Sequence, residues 1–257
     1  MDLIPTSIAI LLYIIIFLFG IIIGSFLCVC IRRIPKKKNI VNVRSHCESC
    51  GYQLKWYDLV PVFSYLCLGG KCRKCGIKIS VYHLIIEVLN GCLYVLVFFV
   101  CGISVESLLY CLAGSALLAL SFIDFKTYEI PVGFNIFIGI LGIVRIITDY
   151  RNWPLYIIGF VSVSAFLYLL YALSKGKAIG GGDIKLMAAC GLLLGWKLII
   201  LAFIIGCIVG SVTHVIRMKV SGETHVLAMG PYLSIGVMIA ALWGNTFLTW
   251  YLGSMGL

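Results

Sequence analysis

The sequence predicts an all-α polytopic membrane protein of about eight transmembrane helices, with a small cytoplasmic zinc-binding domain between helices 1 and 2. Three observations predict it. Of 257 residues, 62% are hydrophobic and only 12% are charged, about half the charged share of an ordinary soluble domain. The apolar residues are gathered into runs, most of them near the roughly 20 residues needed to cross a bilayer. The one long polar stretch between runs carries two CxxC pairs.

The first run, residues 8–31, ends at Arg32-Arg33. No basic segment precedes it and no small-residue cleavage site follows, so residues 1–31 read as an uncleaved anchor rather than a signal peptide. Residues 32–83 form the polar domain. The remaining runs, 84–102, 108–123, 132–147, 155–173, 186–194, 198–216 and 227–252, make residues 84–257 a polytopic domain. The run at 186–194 is short. Joined to the next through Gly195-Trp196-Lys197, it would reduce eight spans to seven.

With the N-terminus outside, segments 32–82, 124–131, 174–185 and 217–225 face inward and hold 17 of the 20 Lys and Arg. Only Arg145, Arg151 and Lys197 fall on the outer side. This asymmetry is the positive-inside pattern, and it accounts for the net charge of +10 without a nucleic-acid partner.

The polar domain contains Cys47-Glu48-Ser49-Cys50-Gly51 and Cys72-Arg73-Lys74-Cys75-Gly76. Pairs spaced this way match a zinc knuckle pair. Each CxxC turn aims two thiolates at one ion, and the following glycine reverses the chain at positive φ. Four sulfurs close a tetrahedral shell, and Lys71, Arg73 and Lys74 help offset its negative charge. Disulfides or a redox pair are the alternatives. The charge pattern places the segment in the cytoplasm, where thiols stay reduced, and a redox pair needs no twin. The other cysteines sit mostly in apolar runs, where a buried thiol behaves as a small hydrophobe. A segment this size has little core of its own, so metal is expected to keep it folded.

Only ten acidic residues exist, which allows elimination. Asp2, Glu106 and Asp149 lie on the outer side, Glu48 and Asp58 in the polar domain, and Glu223 in the last inner loop. Glu87, Asp124, Glu129 and Asp183 remain at inner helix ends, where an ionisable group is costly and marks a functional candidate. Asp183 follows Gly180-Gly181-Gly182, which deny the site side-chain bulk and admit an extended backbone. Asp124 and Asp183 fall at the same depth, as a dyad requires. Two close carboxylates share one proton, so one takes a proton from water while the other donates to a scissile carbonyl. The plainer alternatives are that Asp183 caps a helix and that Asp124 pairs with Lys126. Glu129, beside Tyr128, is the weaker catalytic candidate.

Taken together, these residues resemble the type IV prepilin peptidases, the bifunctional leader peptidase and N-methyltransferase family, over essentially the whole chain. The resemblance runs from Gly24-Ser25-Phe26-Leu27 and Arg33-Ile34-Pro35 through the paired CxxC segment, Leu59-Val60-Pro61, Ser64 and Glu87. It continues through Ile123-Asp124, Ile130-Pro131, the GxGD signature at Gly180 to Leu186, and Gly230-Pro231. It implies that Asp124 and Asp183 are the catalytic aspartates and that Cys47, Cys50, Cys72 and Cys75 hold structural zinc. It implies a pilin or pseudopilin precursor with a short basic leader, cut after Gly at the cytoplasmic face of the bacterial inner membrane. It also implies methylation of the new N-terminal residue with S-adenosylmethionine. Cys28, His83, Val132 and Met229 depart from the family pattern and touch neither the dyad nor the cysteines. No Rossmann-type glycine loop is present, so the methyl-donor site is irregular, with Glu87, Gly24 and Ser25 its candidates. Membrane lipid is the other expected partner. The competing readings are a leader peptidase without methyltransferase activity, an ion-coupled transporter with a zinc-sensing loop, and a zinc-ribbon nucleic-acid binder, which sparse aromatic positions disfavour.

Overall fold

A computed structural model describes residues 6–40, 43–176, 179–221 and 227–254. Asp2, Lys177, Glu223 and His225, which the orientation and the elimination invoke, lie outside them. Among the described residues the regular structure is helical, apart from two isolated antiparallel bridges. The chain divides into two compact units, Met1–Val100 and Cys101–Leu257.

The first unit starts with α1 (Thr6–Arg33), whose last turn carries Arg32 and Arg33. A short 3-10 turn (Trp56–Leu59) and α2 (Phe63–Cys67) lie in the polar segment, and α3 (Tyr82–Cys101) closes the unit. α1 and α3 cross at small residues. The buried Asn90 amide donates to the Gly20 carbonyl at 2.7 Å, satisfying a polar group that would be costly to leave unpaired in an apolar setting.

The second unit holds α4 (Val105–Thr127), α5 (Val132–Thr148), α6 (Trp153–Leu173), α7 (Gly181–Leu194), α8 (Trp196–Ser221) and α9 (Gly230–Ser254). Ser104 caps α4, its hydroxyl accepting from the Ser107 N–H at 3.1 Å. α4 is the most enclosed helix, buried along most of its length and packed on α5 and α9. α7 packs against α5 and α6, and α8 against α6 and α9.

Among the described residues, the helices other than α2 coincide with the eight apolar runs. Six are long and apolar enough to cross a membrane; α5 and the 14-residue α7 are shorter. α7 and α8 are separate helices, broken at Gly195 with φ of 79°. Two ends of the second unit differ in chemistry. At one, Arg145 on α5 reaches Glu106 on α4 at 2.8 Å, and Tyr110 donates to the same carboxylate at 2.7 Å. At the other, about 27 Å along α4 by helical rise, the C-terminus of α4 meets the N-termini of α7 and α9.

Candidate active site and metal centre

In the first unit the two CxxC segments fold alike. The Cys47 N–H donates to the Tyr52 carbonyl and the Gly51 N–H to the Cys47 carbonyl, each at 2.9 Å. The second segment repeats this with Cys72, Ile77 and Gly76, again at 2.9 Å. Gly51 and Gly76 have φ of 67° and 68°, the left-handed conformation expected of the residue behind each pair. One antiparallel bridge closes each turn, His46 with Gln53 and Lys71 with Lys78. The four sulfurs lie within 4.8 Å of one another, and those of Cys47 and Cys75 are 3.9 Å apart. A tetrahedral zinc with Zn–S near 2.3 Å requires sulfurs about 3.8 Å apart, so the donor set fits that ion. The N–H groups of Cys50 and then Ser49 pull the Cys47 thiol down to about 6. Those of Cys75 and Lys74 lower Cys72 in the same way. Thiolate is therefore favoured at the first position of both pairs.

Of the cations expected to offset these thiolates, Arg73 does something else. It pairs with the enclosed Asp58 carboxylate at 2.8 Å. Asp58 also accepts from the Lys55 N–H at 3.2 Å and from the Tyr52 hydroxyl at 3.3 Å. Burial pushes this carboxyl up, but the hydrogen bonds from Arg73 and Lys55 outweigh it and hold Asp58 below the usual carboxylate range. Asp58 thereby links the chain after the first CxxC pair to the second pair.

A cavity of about 490 Å³ lies within the same unit, bounded by the cysteine segments, the α1 end and the start of α3. Glu87 faces it. This carboxylate is 7% exposed and accepts from the Val62 N–H at 2.8 Å and from the Ser25 hydroxyl. Gly24 sits against the Glu87 backbone, so close that an added Cβ would stand 2.8 Å from the Glu87 Cα. The three residues weighed for methyl-donor binding are thus brought together.

In the second unit Asp124, Asp183 and Glu129 line one hollow of about 310 Å³ with Tyr128 and the glycines 180–182. Asp124 stands in the last turn of α4 and is 4% exposed. The Gly230 N–H, at the start of α9, donates to Asp124 Oδ2 at 2.9 Å. Asp183 stands in the first turn of α7, where its carboxylate accepts from the Gly180 N–H and feels the charge of Asp124. Each aspartate thus meets a helix N-terminus, where unpaired N–H groups and the helix dipole favour an anion. The capping role and the dyad geometry coexist at Asp183. Of the three glycines, Gly181 has open space where a Cβ would stand, while Gly182 abuts Ile130 at 3.0 Å.

Sequence reasoning missed two residues. Gly230 was visible only as part of a motif. A Cβ there would lie 2.6 Å from Asp124 Oδ2, so glycine is what lets α9 present its first N–H to the carboxylate. Val62 was not singled out at all, although its N–H holds Glu87.

Residues 18–101 match the bacterial peptidase A24 N-terminal domain, and residues 111–215 match the type IV leader peptidase family. The chain is 30% identical over 241 residues to a prepilin leader peptidase/N-methyltransferase of Bacillus subtilis (strain 168), covering 93% of this chain and 97% of that one. It is 31% identical over 258 residues to the protein so named in Pseudomonas putida, covering 88% of each. It is 31% identical over 216 residues to that of Myxococcus xanthus (strain DK1622), covering 80% of this chain and 63% of that one. No solved structure matches the chain.

Proposed function

This chain belongs to the type IV leader peptidase family, and from that premise we propose that it removes the leader of prepilin-like precursors and then methylates the amine so exposed. It is an enzyme, and its apolar helices make it a multipass bacterial membrane protein. The observation that carries the proteolytic half is the pair of aspartates in one glycine-floored hollow.

In this reading the carboxylate that keeps its charge takes a proton from a water molecule, and the protonated partner donates to the oxygen of the scissile carbonyl. Gly230 and Gly180 hold the two carboxylates by backbone N–H groups, so neither needs a side chain to orient it. The open space at Gly181 admits an extended backbone. Asp124 and Asp183 are the catalytic residues.

Cys47, Cys50, Cys72 and Cys75 would hold zinc, which here cross-links two turns of a segment without a core of its own. S-adenosylmethionine, when bound, supplies an electrophilic methyl group. Glu87, Gly24 and Ser25 are the residues proposed to bind it, beside a cavity within the roughly 300–1,000 Å³ of small-molecule sites. The cation distribution favours eight spans in the inner membrane with the N-terminus outside. Residues 1–31 are then an anchor, 32–83 a cytoplasmic zinc domain and 84–257 the peptidase domain, cutting at the cytoplasmic face.

Incubating the purified protein with a prepilin and a methyl-labelled donor tests both halves. Shortening of the precursor followed by label on the mature chain is expected. Cleavage without label would leave a peptidase alone, and neither product would remove the assignment.

A further inference from the structure

An N-terminal amine emerges from peptide cleavage able to carry a proton, and as an ammonium it has no lone pair with which to accept a methyl group. Methyl transfer to it therefore needs a proton acceptor. The aspartates belong to the proteolytic step, and in the first unit one carboxylate stands out as an acceptor. Glu87 is buried at a cavity wall and forms no ion pair among the described residues. Its hydrogen bonds from Val62 and Ser25 use two of the roughly four acceptor positions of a carboxylate.

The turn that supplies the Val62 N–H is built under strain. Val62 has φ 62° and ψ −54°, and the Phe63 N–H closes back on the Pro61 carbonyl at 2.6 Å. That is a three-residue γ-turn at positive φ, a conformation a β-branched residue resists. Backbone strain of this kind is retained where surrounding structure requires it, and it gathers at functional sites. Here its product is an N–H aimed at Glu87. Four residues earlier on α3, roughly 6 Å nearer the helix start, His83 lies against Arg32. Cys28 donates to the His83 carbonyl at 3.7 Å. Thus the Arg32 guanidinium, with His83 against it, lies one turn from the Glu87 carboxylate and the Ser25 hydroxyl, all of them lining one cavity.

We propose that Glu87 is the proton acceptor of the methyl-transfer step, and that the cavity beside it receives the N-terminal ammonium of the cut chain. This rests on the reading that the protein methylates as well as cleaves. An ammonium offers N–H donors to the free positions of the carboxylate. An N–H bond of the ammonium breaks and its proton passes to Glu87. The freed lone pair forms the new N–C bond to the donor's methyl carbon while the S–C bond breaks, its electrons staying on sulfur as a neutral thioether. The proton then leaves Glu87 to solvent. The other titratable groups at this cavity are Cys28, Arg32 and Arg33 from α1, His83 from α3, and His46, Cys47, Glu48, Asp58, Tyr65, Cys72, Arg73 and Lys78 from the polar segment; of the carboxylates among them, Glu48 pairs with Arg32 and Asp58 with Arg73.

The test uses the full-length, zinc-loaded protein, a peptide with the mature free N-terminus and a labelled donor. Glu87→Gln is expected to lower label transfer by about 100-fold or more, the usual contribution of a positioned base. Prepilin cleavage and zinc content should stay as in wild type. The residual transfer should climb with pH toward about 8, where the amine loses its proton unaided, while the wild-type rate is flatter. Transfer at the wild-type rate, or an unchanged pH profile, overturns the proposal. So does a loss of zinc that Glu87→Asp repairs together with full transfer, since that marks a structural role. Wild-type protein that cleaves but transfers no label would instead overturn the underlying methyltransferase reading.

Discussion

The thiol cluster of the first unit is closed by two short turns, whereas the aspartate pair of the second is assembled from the ends of three helices. Each CxxCG segment makes its own hydrogen bonds and its own positive-φ glycine, so either half could be drawn without the rest of the chain. Asp124 depends on Gly230, 106 residues away, and Asp183 on the start of α7. The difference teaches where each site is vulnerable. A local site fails when a ligand is lost; an assembled site also fails when a distant helix end shifts by a fraction of an ångström.

The largest effect separates chemistry from architecture. Asp124→Asn or Asp183→Asn should lower prepilin cleavage by about 10,000-fold or more, as read on gels. Asparagine keeps an oxygen for the Gly230 or Gly180 N–H, so expression, zinc content and methylation of an already cut peptide should persist. Substantial cutting by either variant would end the dyad assignment.

Cys72→Ser should break the local site without the assembled one. Zinc retention should fall at least about 100-fold, measured by metal analysis, and trypsin should then cut within residues 32–83. Full zinc stoichiometry would argue against a four-sulfur centre.

Gly230→Ala probes the assembled site from afar. Its Cβ would meet Asp124 Oδ2 at 2.6 Å, and relieving such an overlap costs about 1–3 kcal/mol. Cleavage should fall about 10- to 100-fold with zinc unchanged, whereas wild-type kinetics would show that α9 does not hold the carboxylate.

The smallest expected effect is at Asp58. Asp58→Asn should weaken zinc retention about tenfold. Because Asp58 is held below the usual carboxylate range, its contribution is complete above the ordinary aspartate pKa of about 4. It is lost as pH falls below that toward the folded value. The gap between wild type and variant should therefore close on acidification, and a gap that widens would contradict the pairing with Arg73.

These contrasts also explain what the sequence made legible. The apolar runs foretold every long helix because length and hydropathy are local properties. The break at Gly195 needed the structure, since an apolar run of nine residues does not say whether it continues. The four cysteines were legible from spacing alone, and Asp183 from its glycines. Gly230 was not, because no spacing rule relates position 124 to position 230. Val62 was hidden for the opposite reason: valine's own preference argues against the turn it adopts, and only the Glu87 carboxylate gives that turn a purpose. Arg73 was assigned to the thiolates by proximity in sequence, and its pairing with Asp58 could be read only from the structure.

The bond from Gly230 to Asp124 has a consequence for inheritance. A lineage that altered position 230 would first have to reshape the pocket around position 124, and one that lengthened residue 124 would find position 230 already in the way. Neither site can drift alone. The two should therefore be passed on as a single unit, although more than a hundred residues separate them in the chain.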